Sequence, residues 1–260
     1  MEPIWDLEPQ LANNRAFWLG YGAEDRQDNG LTLYRSGLPD AQLNGVLRVA
    51  PGSLDRTCVP AVQRWLGGVP WQWWAGPDSD PEVPVQLLDA GAELIQTEPV
   101  MAVDLERVTL GEAVPGLGIR AVTDGDLGEW VRAYGPSFGF PDAQSGPLLR
   151  LEQQRPDQDT SLVRLAGWLD GRIVATAVLL DRCGVAGVYV VTTVAGYRRR
   201  GIGAAMTAAA LRAGRERGRR IGTLQASPMG EPVYLRMGFQ VVAEYQVFRI
   251  PPAGPPVSPP

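Results

Sequence analysis

Residues 188–204 read VYVVTTVAGYRRRGIGA, a β-branched apolar run followed by a basic, glycine-containing turn. The apolar run belongs to a buried strand predicted over residues 185–193, and the alanine-rich residues from Gly201 to about Arg217 predict a helix. Backbone N–H groups at the start of a helix lack intrahelical partners and carry the positive end of the helix dipole. Glycines at positions 201 and 203 would let a phosphate come close to that backbone. The stretch therefore predicts a strand, an anion-binding loop and a helix.

This loop alone does not settle a phosphate site, because a glycine-eased helix start with exposed arginines has the same sequence pattern. A second motif stands downstream, where residues 226–239 read ASPMGEPVYLRMGF. With the helix and strand between them, the two motifs resemble the GNAT superfamily of acyl-CoA N-acyltransferases. The first motif matches the family's [Gln/Arg]-x-x-Gly-x-[Gly/Ala] pyrophosphate loop at Arg198, Gly201 and Gly203. The second matches its Tyr-x-x-x-Gly-Phe segment at Tyr234, Gly238 and Phe239.

The resemblance covers roughly residues 118–250 and implies the GNAT fold, which is α/β (α+β mixed), with a mixed twisted sheet flanked by helices. Strand and helix patterns alternate in both halves of the chain, with a linker near Val114. We therefore predict a catalytic GNAT domain at residues 115–250. We predict a degenerate GNAT-like domain without the cofactor loop at residues 1–114, and a disordered proline-rich tail at residues 251–260.

The expected duplication depends on a faint internal repeat. Residues 71–77 parallel residues 223–228 as a strand, a small residue and a proline, and residues 87–94 parallel residues 234–241 as a helix end, a glycine and a strand. The first half has no basic residue or Gly-x-Gly at residues 50–55, and Leu87 stands at the tyrosine position. Chance similarity between two unrelated alternating domains is the alternative.

The resemblance implies that acetyl-CoA, or another acyl-CoA, is the cosubstrate. The loop backbone and its arginines would hold the pyrophosphate, and the main chain of the preceding strand would hold the pantetheine arm at a bulge. Ser227 stands where the family often has an asparagine that contacts the cofactor. The predicted cofactor-binding residues are Val191, Thr192, Thr193, Arg198, Arg199, Arg200, Gly201, Ile202, Gly203, Ala204 and Ser227.

The catalytic residue that the resemblance implies is Tyr234, which would protonate the departing thiolate. Many relatives place a carboxylate at the position of Tyr189, whose ordinary pKa near 10 suits a base poorly. The carboxylates Asp142, Asp181 and Glu231 are other candidates for the base, and each also fits a turn, hairpin or cap role. We name no base, because an amine that loses its proton to solvent needs only positioning. We place Phe138, Phe140 and Tyr189 in the acceptor site, and the two phenylalanines fit equally well as anchors of an irregular loop to the core.

The sequence thus predicts acyl transfer, with acetyl as the expected group, to a primary amine of a small molecule or peptide by direct attack in a ternary complex. The alternative is a non-catalytic acyl-CoA-binding sensor or partner-binding module, which the missing acidic residue at position 189 favours. A third interpretation, nucleic-acid binding by the arginines near residues 212–220, would show as steeply salt-dependent affinity.

Composition excludes several other classes of function. The chain of 260 residues has no histidine and no lysine, so a Ser-His-Asp triad and a histidine metal site are excluded, and we expect no metal. The net charge of -5 and the absence of a long apolar run predict neither a nucleic-acid nor a membrane partner. Two distant cysteines without a CxxC motif predict a reducing cytoplasmic location. We retain a homodimer as an expected assembly.

Overall fold

The structure is a computed structural model that describes residues 3–22, 24–28, 30–111, 113–158 and 161–250. The tail predicted at residues 251–260 lies outside the described residues. Strands pair in a mixed parallel and antiparallel pattern and are flanked by helices, as the sequence predicts. The helices are α1 Leu7–Leu19, α2 Cys58–Leu66, α3 Val83–Asp89, α4 Leu127–Tyr134, α5 Ser145–Gln153, α6 Ile202–Glu216 and α7 Glu231–Arg236. The strands are β1 Glu24–Asp28, β2 Leu31–Arg35, β3 Asn44–Val49, β4 Gln72–Ala75, β5 Glu93–Asp104, β6 Gly118–Ala121, β7 Leu162–Leu169, β8 Arg172–Arg182, β9 Val185–Thr193, β10 Ile221–Gln225 and β11 Gln240–Arg249.

The chain divides into two compact units that are not contiguous in sequence. One unit consists of Met1–Gly20 and Pro99–Ala243, and the other of Tyr21–Glu98 and Glu244–Pro260. We call them the first and the second unit. This division differs from the predicted segments that meet at residue 114, because α1 and the last residues of β5 pack with the later part of the chain.

In the first unit the strands lie in the order β5-β10-β9-β8-β7-β6. All neighbours are antiparallel except β9 and β10, which are parallel. The hairpin between β7 and β8 turns at Asp170 and Gly171, whose φ angles of 51° and 74° are those of the tight turn that an Asp-Gly pair predicts. Helix α6 packs on β8 and β9 through fully buried Met206 and Leu211. This packing fixes the position of the loop before α6.

Helix α1 packs on the opposite face of the same strands. Side chains alternate between faces along a strand, and Val188 of β9 packs with α6, so Gly187 and Tyr189 face α1. A Cβ atom at Gly187 would lie 2.0 Å from Oδ1 of Asn13, so only glycine allows α1 to come this close. Asn13 then donates from Nδ2 to the carbonyls of Leu180 and Arg182 on β8. These contacts attach the first helix of the chain to strands formed much later in the sequence.

The second unit repeats the same kind of connection. Its strands lie in the order β1-β2-β3-β4-β11, and only β3 and β4 are parallel. Helix α2 connects β3 to β4, and α3 follows β4, just as α6 connects β9 to β10 and α7 follows β10. Its core contains the fully buried ring of Trp73 and the helix residues Val62, Leu66 and Leu87.

Candidate functional site

Strand β9 carries a bulge near its end. Thr192 pairs with Thr176 and Tyr189 pairs with Val178, so Val190 and Val191 both stand opposite the single residue Ala177. Val190 has a φ of 50°, a conformation that β-branched residues rarely adopt. The buried hydroxyl of Thr176 stabilises it by donating to the Val190 carbonyl at 2.7 Å. The bulge therefore redirects the main chain on the strand for which the family resemblance implies one.

Strands β9 and β10 separate just before this bulge. Their parallel pairing is recorded at two positions, Ala186 with Gly222 and Gly187 with Thr223. From Val188 and Leu224 onward, the described residues of the two strands form no further pairs with each other. The edge of β9 that carries Val191, Thr192 and Thr193 thus faces an opening, to which an extended ligand could add like a strand. We call this gap the strand opening.

The strand opening leads into the loop before α6. Arg199 and Gly201 have positive φ angles of 64° and 78°, and α6 begins at Ile202. The N–H groups of Ile202, Gly203 and Ala204 have no carbonyl to donate to within the helix, because the first such bond runs from Ala205 to Gly201. Three such groups at a helix start could bind an anion.

Gly203 leaves open space at this helix start. A Cβ atom there would meet nothing closer than Oγ1 of Thr193 at 3.9 Å, and the φ of Gly203 does not require glycine. Protein packing therefore does not require a glycine at position 203, whereas a phosphate that comes close to the backbone there would. The residues present fit a pyrophosphate.

All three predicted arginines of the loop are exposed. The Nε of Arg198 donates to the carbonyl of Thr193 at 3.0 Å, which closes the loop back onto the end of β9. The guanidinium of Arg200 lies over the ring of Tyr197, 5.5 Å from its centroid. Arg199 is exposed as well. The three side chains add positive charge around the helix start.

The predicted acid Tyr234 lies on α7 in the same hydrophobic cluster as Ile202, with Val191 packed against it. Burial raises the pKa of Tyr234 to about 12, and a hydrogen bond with Thr207 opposes the shift. Thr207 is fully buried on α6 and donates from its hydroxyl to the carbonyl of Gly203 at 3.0 Å. The structure thus brings Tyr234, the bulge and the helix start into one neighbourhood.

Ser227 begins the turn before α7 and is exposed. Its hydroxyl accepts a hydrogen bond from the N–H of Gly230 at 3.2 Å, and its carbonyl accepts one from Glu231. This side chain therefore has a local role in the turn beside its predicted contact with the cofactor.

The predicted acceptor residues occupy different surroundings. Phe140 is buried and its N–H donates to Gly135, whereas Phe138 is partly exposed and packs edge-on against Tyr134, with centroids 6.0 Å apart. Tyr189 is buried, donates its hydroxyl to Oδ1 of Asn13 at 2.7 Å, and stacks on Phe17 with centroids 3.9 Å apart. The two phenylalanines and Tyr189 thus have different neighbours.

Two of the candidate bases, Tyr189 and Asp181, have other partners. An amide oxygen cannot take up a proton near neutral pH, so Asn13 leaves the Tyr189 hydroxyl a donor. Asp181 pairs with Arg219 at 2.6 Å and with Arg217 at 3.7 Å. Glu231 lies in the first turn of α7, and the side chain of Asp142 is outside the described residues.

Three features of the site were not found from the sequence: the positive φ of Val190, the Thr207 hydroxyl beside Tyr234, and the polar contacts of α1. Thr207 lies four residues after Gly203 and one helical turn away, so helical spacing could have pointed to it. Nothing in the local sequence around Asn13 indicates a partner 176 residues later.

Comparison with known families agrees with this geometry. Residues 118–242 match the family described as "Acetyltransferase (GNAT) domain". The matched segment, just under half of the chain, is similar to a GNAT acetyltransferase domain. It contains the bulge, the strand opening, the loop and Tyr234. A search of curated protein sequences found no match.

Solved structures share the fold. A GCN5-related N-acetyltransferase from Kribbella flavida is 20% identical with a TM-score of 0.68, over 94% of this chain and 95% of that one. A second GCN5-related N-acetyltransferase, from Sphaerobacter thermophilus, is 21% identical with a TM-score of 0.59. The alignment covers 74% of this chain and 65% of that one. A tandem GNAT protein from the clavulanic acid biosynthesis pathway is 15% identical with a TM-score of 0.58, over 86% and 79%. At these identities the likeness shows the GNAT fold.

GNAT enzymes use acetyl-CoA, so the family assigns acyl transfer to this domain in general terms. Within the described ranges, no group of three or more histidine, cysteine or acidic side chains is arranged to hold a metal ion. No helix in the described part of the chain is long and apolar enough to span a membrane.

Proposed function

We propose that this chain is an N-acetyltransferase that moves an acetyl group from acetyl-CoA to a primary amine by direct attack in a ternary complex. One observation carries the proposal: the strand opening leads from the bulge at Val190 into a helix start whose first three N–H groups have no partner within the helix and whose Gly203 leaves space for an anion. When bound, acetyl-CoA would supply an activated thioester.

The main chain would hold most of the cosubstrate. The N–H groups of residues 202–204 would hold the pyrophosphate, with Arg198, Arg199 and Arg200 adding charge around it. The edge of β9 at residues 191–193 would bind the pantetheine amides, and an N–H of this stretch would stabilise negative charge on the acyl oxygen. Ser227 remains a proposed contact at the end of β10.

Tyr234 would hold a proton on its hydroxyl for the departing sulfur. Its pKa of about 12 keeps that proton in place across the neutral range, as a general acid requires. We name no general base, and an amine that is deprotonated by solvent before it binds needs only orientation. Phe138, Phe140 and Tyr189 are the proposed acceptor-side residues, and the acceptor is a small-molecule or peptide amine rather than a nucleic acid or a membrane.

We also propose that the second unit is a degenerate GNAT-like copy that does not bind CoA. The matching order of strands and helices supports this. Strand β3 corresponds to β9, but its main chain is already hydrogen-bonded to residues of the same unit. The N–H of Val49 donates to Oγ of Ser79 at 3.4 Å, and the carbonyl of Val49 accepts from the N–H of Asp80 at 2.8 Å.

The anion position of the second unit is also filled from within. The carboxylate of Asp80 accepts from the N–H of Gly52, in the loop before α2, at 2.7 Å. In the same loop, the hydroxyl of Thr57 lowers the pKa of Asp55, which therefore keeps a negative charge that repels phosphate. The buried Leu87 stands where a proton donor would be needed. An acyl-CoA would have to displace residues 79–80 to enter.

A non-catalytic acyl-CoA sensor is the second candidate, favoured by Tyr189, whose hydroxyl is committed to Asn13 at the position where relatives carry a base. Thiol release from acetyl-CoA in the presence of a panel of amines separates the two functions. Amine-dependent release that Tyr234→Phe suppresses supports the enzyme. Binding of acetyl-CoA by calorimetry, without release for any amine, would support the sensor.

A further inference from the structure

Helix α1 presents one polar stripe, Gln10, Asn13 and Asn14, to the strands that separate at the strand opening. Residues spaced by three and four lie on one helix face. Asn13 binds Tyr189 of β9, and Oε1 of Gln10 accepts from the Thr223 hydroxyl of β10 at 3.4 Å. The three side chains are buried. The stripe therefore bridges β9 and β10 on the side opposite α6.

Asn14 contacts the next side chain along β10. Its Nδ2 donates to Oε1 of Gln225 at 2.5 Å. Gln225 lies two residues beyond Thr223, the last residue of β10 that is paired with β9, so it stands in the separated part of the strands. The hydrogen bond fixes the orientation of the Gln225 amide, because its oxygen is committed to Asn14 and its nitrogen must face elsewhere.

Nε2 of Gln225 is buried and makes no hydrogen bond to any described residue. A buried donor without a partner is destabilising, so such groups are rare in native proteins and call for an explanation such as a bound ligand or water. The group is uncharged and only donates, so it suits a neutral carbonyl oxygen better than a phosphate or an ammonium group.

We propose that Gln225, oriented by Asn14, is a ligand-binding residue that donates its amide N–H to a carbonyl oxygen of the acyl-pantetheine arm in the strand opening. The inference rests on the proposed acyl-CoA function of this opening. Two carbonyl sources share the chemistry, an amide of the pantetheine arm and the acyl group itself. The first helix of the chain thereby becomes a positioning element of the cosubstrate site.

The test is calorimetry of CoA and acetyl-CoA on the full-length chain and on two variants. Gln225→Leu removes the donor, and Asn14→Asp turns the amide around, since an aspartate accepts but does not donate. Both should weaken acetyl-CoA binding about 3- to 10-fold, the loss expected for one neutral hydrogen bond. Gln240→Leu, which changes an exposed glutamine of the same unit, is the matched control and should bind as wild type does.

The two sources give different patterns. A pantetheine contact weakens CoA and acetyl-CoA equally, whereas an acyl contact weakens only acetyl-CoA. Wild-type affinity in both variants, with melting temperatures that show them folded, overturns the inference, and so does a change confined to the KM of the amine. If the wild-type chain binds neither CoA nor acetyl-CoA, the proposed function itself fails.

Discussion

The hydroxyl of Tyr189 donates to Oδ1 of Asn13 at 2.7 Å, although the two residues are 176 positions apart in the sequence. Tyr189→Phe leaves that buried amide oxygen without its donor. We expect the free energy of unfolding to fall by about 1–3 kcal/mol in urea denaturation. Because this hydroxyl is not a base, the acidic limb of kcat/KM against pH should be retained. Tyr197→Phe, in the partly exposed loop, is the control for loss of a hydroxyl. A lost acidic limb in Tyr189→Phe would make Tyr189 the base after all.

Gly203→Glu should abolish acetyl-CoA binding without unfolding the protein. The nearest atom to a Cβ at this position is 3.9 Å away, so the fold tolerates the side chain, but its carboxylate would occupy and repel the anion position. Calorimetry measures the affinity, and circular dichroism the fold. Gly203→Ala, which adds no charge, should remain folded and lose less affinity. Unchanged affinity in folded Gly203→Glu would remove the loop from the cofactor site.

Tyr234→Phe should lower kcat by about 10- to 10⁴-fold while acetyl-CoA affinity stays nearly constant, because it removes a proton donor and keeps the ring. The buried ring lies beside Phe239, with centroids 5.7 Å apart, and the phenylalanine retains this packing. Steady-state rates with a reactive amine check the first part and calorimetry the second. Wild-type turnover would reduce Tyr234 to a packing residue.

Thr207→Val should raise the pKa of Tyr234 further, because it removes the hydrogen bond that lowers that pKa. A weaker acid protonates the leaving group more slowly, so kcat should fall about 3- to 10-fold. Thr207→Ser keeps the hydroxyl and should restore most of the rate. Equal kcat values for the valine and serine variants would show that this hydroxyl does not act on Tyr234.

The stability of the chain should depend on Glu98 between pH 4.5 and 7. Burial raises the pKa of its carboxyl from 4.5 to about 7. A raised pKa means that the folded state binds the proton more tightly, so the stabilisation is complete below pH 4.5 and is lost as the pH rises through 7. In the Glu98→Gln variant, the midpoint of thermal unfolding should therefore change less with pH over this range than it does in the wild type. If the midpoint changes by the same amount between pH 5 and pH 8 in both proteins, Glu98 is not the group responsible.

The sequence predicted the elements whose signals are local. Strand β9 is found at its predicted bounds, and α6 begins within one residue of its predicted start. Both predictions succeed because a β-branched apolar run and an alanine-rich segment can be recognised from a few consecutive residues. Strand β1 was missed, since EDRQD contains no apolar residue to show a period. The placement of α1 could not be predicted, because its hydrogen bonds are to residues far along the chain. The bulge was predicted from family resemblance, whereas the positive φ of Val190 depends on the buried Thr176.

Because α1 belongs to the first unit, the order of synthesis conflicts with the order of assembly. This helix leaves the ribosome long before its partners on β8, β9 and β10, the last of which emerge only after Gln225 has been translated. The second unit likewise waits for Glu244 and the residues after it to be synthesised. Neither unit can complete its fold while most of the chain is still being made, so nascent chains expose apolar surface for longer than a domain that folds as it emerges. Expression yield should therefore respond to chaperones and to lower temperature.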